Sequence, residues 1–457
     1  MPSELLTAAP GQANTPSRSF ARRSFLKALG TTAIAAPFVT RDLIARPPSR
    51  VVRHASFGAS NMAWADLTEL TKFKPVELVA VAEVDLNRTA ELKKRFPSTR
   101  IYQDWRELLD KEGKQLDSVN VSTPDHMHAP IAMTALQMGK NVYCQKPLTH
   151  DLYEARKLTE FARFKGVVTQ MGIQIHSSSF YRLTPLLIQA GTIGRVKEVH
   201  SWVGSAQGDP APRPEASDPV PEGFDWDLWL GVCATRPFIG KEYYHPFNWR
   251  KRLDFGTGSL GDMGCHLFDP VFMSLGLTAP ISVRSEGDGP NQWNWPLNYE
   301  VHYEFPGTQF TAEKTLPVTW YDGSRRPPPA VKALLEGDDF PGGGSIFVGT
   351  HGALVLPHWS KPLLYPDKKF KDLKFPEVKE LNHWGSYVDA CLGGAKTTAG
   401  FDYSGPLAEA VLVGTVAVRL PKATLHWNAP SLTFQEAEAN QFIRRQYRSG
   451  WAIKGLS

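Results

Sequence analysis

The stretch from Asp117 to Leu148, DSVNVSTPDHMHAPIAMTALQMGKNVYCQKPL, leaves few folds open to the chain. Asp117 to Ser122 reads as a buried strand, and Thr123-Pro124-Asp125 breaks it. Pro130 falls where the first turn of a helix tolerates a residue with no N–H, and Gly139 ends that helix. Asn141 to Cys144 is a second short strand. Strand, helix and strand in this order make one βαβ unit, whose two strands run parallel. The loop after it, Gln145-Lys146-Pro147, therefore places a lysine at the carboxyl edge of a parallel sheet, where such sheets bind ligands.

TPDHMH followed about 20 residues later by a lysine-proline loop resembles the glucose-fructose oxidoreductase, inositol dehydrogenase and MocA family (Gfo/Idh/MocA), whose usual form is TPxxxH and then EKP. The resemblance runs from about Val51 to the C-terminus. It implies an N-terminal Rossmann domain with a doubly wound parallel sheet, a C-terminal α+β domain with a large, mainly antiparallel open sheet, and Lys146 as the catalytic lysine. Gln145 replaces the family's glutamate, which exchanges a carboxylate for a neutral amide beside the nicotinamide. Gln145→Glu is expected to alter mainly cofactor affinity or redox balance, unless Gln145 is a buried structural amide.

Upstream, Val51 to Phe57 and then Gly58-Ala-Ser60-Asn-Met-Ala63 read as a strand, a tight turn and a helix from Ala63 to Lys72. Gly58, Ser60 and Ala63 stand at the three glycine places of a dinucleotide fingerprint. The next strand, Glu77 to Val84, brings an acid to its end about 25 positions after Gly58. Glu83 there suits a ribose 2′-hydroxyl and repels a 2′-phosphate, so NAD is expected rather than NADP. Asp85 is the alternative for this part, and both acids also suit a cap on the helix expected from Asn87 to Phe96. With the resemblance, the cofactor set is Gly58, Ser60, Asn61, Met62, Glu83, Thr123, Pro124, His128, Gln145 and Lys146. A unit at Asp104 to Leu109, a helix from Tyr153 to Lys165 and a strand from Val167 to Met171 complete the alternation of a doubly wound sheet.

The domains expected are 1–48 (signal and linker), 49–172 (NAD-binding Rossmann domain) and 173–457 (substrate binding and oligomerisation). A helix at Tyr181 to Ala190 links the last two. Val196 to Val203, Ile281 to Glu286, Tyr299 to Phe305, Thr308 to Lys314 and Ile346 to Gly349 read as the strands of an antiparallel sheet. Trp226, Trp229, Trp249, Tyr243, Tyr244 and Trp320, in or beside long loops, are either platforms for sugar faces or core residues. The helix from Leu407 to Val418 packs, in the family, across the domain junction.

Gly256 to Asp269 is similar to the family's glycine-rich segment ending in DxGxHxxD. Asp262 and His266 are four apart, which on a helix puts both on one face, as a carboxylate that orients an imidazole requires. With Lys146 they suggest alcohol oxidation: His266 removes the hydroxyl proton, Lys146 steadies the alkoxide and hydride passes to NAD. Asp262 and His266 also face the substrate, together with His176, Tyr181 and Trp249, and His245 is a further candidate. No metal is expected, since no HExxH or clustered Cys/His set occurs; His126 and His128 imitate a metal pair on the loop near the nicotinamide.

A net charge of +5 without basic blocks argues against nucleic acid, and four scattered cysteines show no CxxC pair. Ala21-Arg22-Arg23-Ser24-Phe25-Leu26-Lys27 and the short apolar run after it read as a twin-arginine export address to the periplasm, with Ala33-Ile34-Ala35 and Leu43-Ile44-Ala45 both open as cleavage sites. That run is too short for stable membrane insertion. Three functions are consistent with these residues: an NAD-dependent oxidoreductase of a sugar, polyol or glycoside; an NAD-dependent glycosidase working by transient oxidation and elimination; and a sugar-binding protein with a vestigial Rossmann domain. Pairing through the exposed sheet is common in the family, and implies a homo-oligomer, dimer or tetramer.

Overall fold

The computed structural model describes residues 51–205 and 207–457. The twin-arginine segment and both cleavage sites lie outside them. Val52 opens a six-stranded sheet made of β1 (Val52–Phe57), β2 (Val76–Ala82), β3 (Arg100–Tyr102), β4 (Ser118–Val121), β5 (Asn141–Gln145) and β6 (Thr169–Gly172). All its pairings are parallel, in the order β3-β2-β1-β4-β5-β6. Between the strands run α1 (Met62–Leu70), α2 (Ala90–Arg95), α3 (Trp105–Glu112), α4 (His128–Gln137) and α5 (Leu152–Lys165). The expected helix from Asn87 to Phe96 is a 3-10 turn, Leu86–Thr89, capped by Asp85, followed by the short α2. The winding reverses between β1 and β4, and this opens a crevice outside their carboxyl ends. Gly58 follows the first of these strands and Thr123 the second.

β4 shows how one strand serves two faces. Val119 and Val121 enter the main apolar core. Ser118 and Asn120, on the other face, are buried and bonded to His54 of β1 at 3.0 and 2.8 Å. A polar alternation inside a buried strand is sustainable only because each group finds a partner.

The second sheet has nine strands. After α6 (Ser179–Gln189) come β7 (Val196–Val203), α7 (Trp226–Leu230), α8 (Gly258–Leu275), β8 (Ser282–Glu286), β9 (Glu300–Pro306) and β10 (Thr315–Tyr321). Then follow α9 (Pro329–Lys332), β11 (Gly343–Gly349), β12 (Ala353–Pro357), β13 (Leu363–Tyr365), α10 (Asp367–Phe370), α11 (His383–Cys391), α12 (Phe401–Arg419), β14 (Thr424–Asn428) and β15 (Thr433–Phe434). The order is β13-β12-β11-β7-β10-β9-β8-β14-β15, antiparallel except where β7 meets β10.

One expected strand is misplaced. Thr308 to Lys314 is a turn, closed by Thr308 N–H on Thr311 Oγ1 at 2.8 Å, and the strand is the next segment, β10. Pro317 inside β10 masked it: a strand interior normally excludes proline. It is accommodated because pairing with β7 begins one residue later, at Val318. The aromatic expectation also narrows, since Trp320, on β10, is fully buried and Trp226 and Tyr244 pack in the core, Trp226 stacked on Trp229 and tilted against Tyr244.

The chain's last third returns to the first sheet. α11 packs on α1, with Tyr387 and Val388 sharing a small core with Leu70 and Tyr143. α12 packs against both α5 and α8, the second of which lies under the nine-stranded sheet. Among the described residues no helix is long and apolar enough to cross a membrane.

Candidate active site

A cavity of about 380 Å³ lies along the carboxyl ends of β1, β2, β4 and β5. Every residue of the expected cofactor set lines it, as does Trp249. Gly58 makes the turn: its φ is +102°, and a Cβ there would lie 2.8 Å from the Ala63 Cβ and 3.0 Å from the Ser122 carbonyl oxygen. Glu83 accepts from the N–H of Ala59 at 2.9 Å and of Asp85 at 3.1 Å, tying the end of β2 to the turn. Burial pushes its carboxyl up. Asp85 is instead turned toward His245, 3.1 Å away, and is absent from the lining. A tight glycine turn, an acid at the end of β2 and an open carboxyl edge fit a dinucleotide carrying a free ribose 2′-hydroxyl.

Loops of the second domain are tied to the segment after β2, beside this cavity. Asp225 N–H bonds the Val84 carbonyl at 2.9 Å, Leu86 N–H bonds the Gly223 carbonyl at 2.9 Å, and the Asn87 amide reaches the Glu222 carbonyl at 2.7 Å. His245, Phe247, Trp249 and Arg250 then form a wall, with Phe224 stacked on His245 at 4.8 Å.

Lys146 stands at the end of β5 and its Nζ donates to Asp262 twice, to Oδ1 at 2.8 Å and to the carbonyl oxygen at 2.6 Å. Arg250 Nε reaches the same Oδ1 at 3.3 Å. Burial raises the Asp262 carboxyl, but the two cations outweigh it and hold it at about 2. The Asp262 carboxylate, expected to orient the His266 ring, is bonded to Lys146 and Arg250 instead. Both residues share a face of α8, as the four-residue spacing requires, but the two cations from outside the helix take the carboxylate. His266 is buried and, like Asp262, is absent from the cavity's lining, where Lys146 and Arg250 stand; its Nδ1 is bonded to no protein atom. Burial, then Lys146 and His358, hold its imidazole well below the ordinary histidine range, so it rests neutral.

The other expected residues separate. His128 clamps two loops, with Nδ1 2.8 Å from the Pro147 carbonyl and Nε2 2.8 Å from that of Thr123. His126 bonds the Trp229 carbonyl and packs on Trp229 and Phe255. Among the described residues no three His, Cys, Asp or Glu side chains converge as a metal site. His176 is buried away from the cavity, bonded to Asp269 at 2.8 Å and Thr398 at 3.0 Å. Tyr181 also lies off the cavity. Its hydroxyl meets His358 Nδ1 at 2.8 Å, and the His358 ring lies 5.6 Å from that of His266.

Sequence reasoning missed Arg250, His358 and Asp125. For the first two no local pattern marks the role; Asp125 sat in view inside TPDHMH. It lines the cavity and accepts from Thr257 Oγ1 at 2.7 Å, and burial pushes its carboxyl from 3.8 up to about 7. An acid raised on folding contributes most below its unfolded pKa, and that contribution is lost as pH climbs through the folded value. Asp125→Asn is therefore expected to raise the thermal midpoint more at pH 8 than at pH 5. Equal shifts at the two pH values, read by calorimetry, would refute this.

The profile described as "Oxidoreductase family, NAD-binding Rossmann fold" matches residues 52–173, and "Oxidoreductase family, C-terminal alpha/beta domain" matches 184–300. The chain belongs to the Gfo/Idh/MocA oxidoreductase family, and its first domain is that family's NAD-binding fold. It is 26% identical to levoglucosan dehydrogenase of Pseudarthrobacter phenanthrenivorans over 43% of this chain and 41% of that protein. To myo-inositol 2-dehydrogenase of Thermotoga maritima it is 25% identical, over 41% of this chain and 54% of that one. The match thus spans about half the length of these curated relatives. Among solved structures, the WlbA dehydrogenase of Bordetella pertussis, in complex with NADH and UDP-GlcNAcA, superposes with a TM-score of 0.60 at 13% identity, over 83% of this chain and 99% of that one. An inositol dehydrogenase homolog of Azotobacter vinelandii, complexed with NADH and myo-inositol, gives 0.55 at 16% identity, over 84% and 99%. These two likenesses concern the fold.

Proposed function

We propose that the chain is an exported NAD-dependent oxidoreductase acting on a CH–OH group of a sugar, polyol or glycoside. The observation that supports this most is Lys146, held by Asp262 at the carboxyl end of β5, with neutral His266 as its electrostatic neighbour. NAD, when bound, supplies the hydride acceptor. His266 takes the hydroxyl proton, the carbon gives up hydrogen with its electron pair, and the alkoxide becomes a carbonyl. Lys146 steadies the negative charge as it forms, which in a site shielded from water is among the larger contributions to rate. Arg250 keeps Asp262 ionised, so the lysine retains its place between turnovers. Relatives named as levoglucosan and inositol dehydrogenases agree with a polyhydroxylated substrate.

A second reading follows from export. The space outside the cytoplasmic membrane offers little free NAD, and a loosely held dinucleotide would be lost there. An exported enzyme must then carry NAD from the cytoplasm and restore it in each cycle, through a second sugar or through oxidation, elimination and reduction of one glycoside. Retention of that kind needs a Kd at or below about 1 nM, roughly 12 kcal/mol. Protein purified without nucleotide, desalted and denatured is expected to release close to one NAD or NADH per chain; recovery of none, with activity only on added NAD, would refute the closed cycle. A panel of glycosides and polyols, read for both NADH absorbance and released aglycone, separates dehydrogenase from glycosidase. The chain is further expected to form a dimer or tetramer, and a light-scattering mass near 50.8 kDa would rule that out.

A further inference from the structure

Asp66 of α1 is wholly buried and is used by none of the chemistry above. Four neutral groups donate to it. Gln145 Nε2 and Ser122 Oγ reach Oδ2, each at 2.8 Å, while Trp384 Nε1 at 3.0 Å and Tyr143 OH at 3.3 Å reach Oδ1. Burial pushes the carboxyl up to about 6 against the pull of these donors. Keeping a carboxylate out of water without a cation beside it is costly, so its retention calls for a reason. Its donors supply one: they belong to the loop after β4, to β5 just before Lys146, and to α11.

Gln145 is the link to the site. Its Nε2 is held by Asp66, and its Oε1 accepts the N–H of Lys146 itself, at 3.4 Å. The amide occupies space that any side chain at Gly172 would fill, since a Cβ there would lie 2.5 Å from Nε2. It therefore has one orientation, donor toward Asp66 and acceptor toward the lysine's backbone.

We propose that Asp66 is a positioning residue: its carboxylate orients the Gln145 amide, and the amide fixes the backbone from which Lys146 reaches Asp262. The inference rests on Lys146 as the alkoxide-binding group. Its physical content is a polarity, acceptor on α1 and donor on β5, that can be reversed but not made alike on both sides. In Asp66→Asn, the fixed N–H of Trp384 keeps the new amide oxygen, so the new NH2 faces Gln145. Gln145 must then turn over and present its own NH2 to the Lys146 N–H. In Gln145→Glu, two carboxylates come within hydrogen-bond distance and cannot both be ionised. The double variant D66N/Q145E exchanges donor and acceptor between the two positions. Its carboxylate, now on β5, accepts both from the amide on α1 and from Lys146 N–H.

The test compares the parent, D66N, Q145E and D66N/Q145E as full-length protein. Three quantities are read: kcat and KM on whichever polyol or glycoside of the panel the parent turns over, NAD affinity, and the rate at which an amine-reactive acyl ester labels Lys146, by mass spectrometry. Loss of one hydrogen bond to a charged group predicts a fall in kcat on the order of 10-fold in D66N; in Q145E the proton shared by the two carboxyls replaces the amide donor, so the fall is smaller and grows as pH rises. KM should change little and Lys146 labelling should accelerate. The double variant should recover most of the kcat lost in D66N and restore slow labelling, because its hydrogen bonds and total charge match the parent's, and the NAD affinity read beside it isolates the effect of the charge moved to the cavity wall. A D66N variant that retains parental kcat and labelling while losing only thermal stability would overturn the proposal. So would a folded double variant no better than D66N, and that comparison stands even where Q145E does not fold. If the parent itself shows no turnover, the functional reading has failed, and the labelling rates alone still decide whether Asp66 positions Lys146.

Discussion

Lys146→Ala is expected to lower kcat/KM by a factor on the order of 10² to 10³, the range for removing one preorganised group that stabilises developing negative charge. NAD binding should persist, because the glycine turn and Glu83 are untouched. His266→Ala is expected to cost on the order of 10² to 10⁴, as loss of a positioned general base does. The Lys146 variant should also unfold at higher pH in acid. Asp262, held at about 2 by Lys146 and Arg250, contributes stability above the usual 3.8 that is lost as pH falls through the folded value. Without Lys146 the folded value moves up and that window narrows from below. Pre-steady-state NADH absorbance and an acid titration check the two statements, and parental turnover in either variant would remove the assignment.

Gly58→Val should weaken NAD binding on the order of 100-fold or more and leave little activity. Two independent causes act at this position. A β-branched residue at a φ of +102° is strained, at a cost of roughly 1–3 kcal/mol. Its Cβ would also press on Ala63 and on the Ser122 carbonyl, forcing apart the two loops that bound the crevice. Gly139→Ala provides the control: φ is +71°, but a Cβ there meets nothing within 4 Å. That change should cost some stability and no affinity. Calorimetric titration with NAD distinguishes them, and equal affinities in the two variants would show that Gly58 does not shape the cofactor turn.

The Gln145 expectation needs revision in the light of the buried network. A glutamate in place of Gln145 would face Asp66 across a distance that now holds a 2.8 Å hydrogen bond, so its first effect is on the loop that carries Lys146. Cofactor affinity then responds through that loop as well as through the charge placed on the cavity wall.

Chain order and local pattern were enough to place most of the first sheet, the Gly58 turn, Glu83 at the end of β2 and Lys146 at the end of β5. Each depends on a strand, a turn and a helix start that are neighbours in sequence, and the physics of such junctions is local. The four-residue spacing of Asp262 and His266 likewise put them on one helix face. Which partner Asp262 takes was beyond that reach. Lys146 lies 116 residues away, and only packing of α8 against the loop after β5 brings the two together. Trp384 reaches Asp66 across 318 residues, because α11 folds back onto α1. Arg250, His358 and the bonds that tie residues 222–225 to the end of β2 carry no local signature either. Periodicity and turn chemistry report which way a side chain faces, whereas a hydrogen-bond partner is settled within a few tenths of an ångström by elements that meet only when the whole chain has packed.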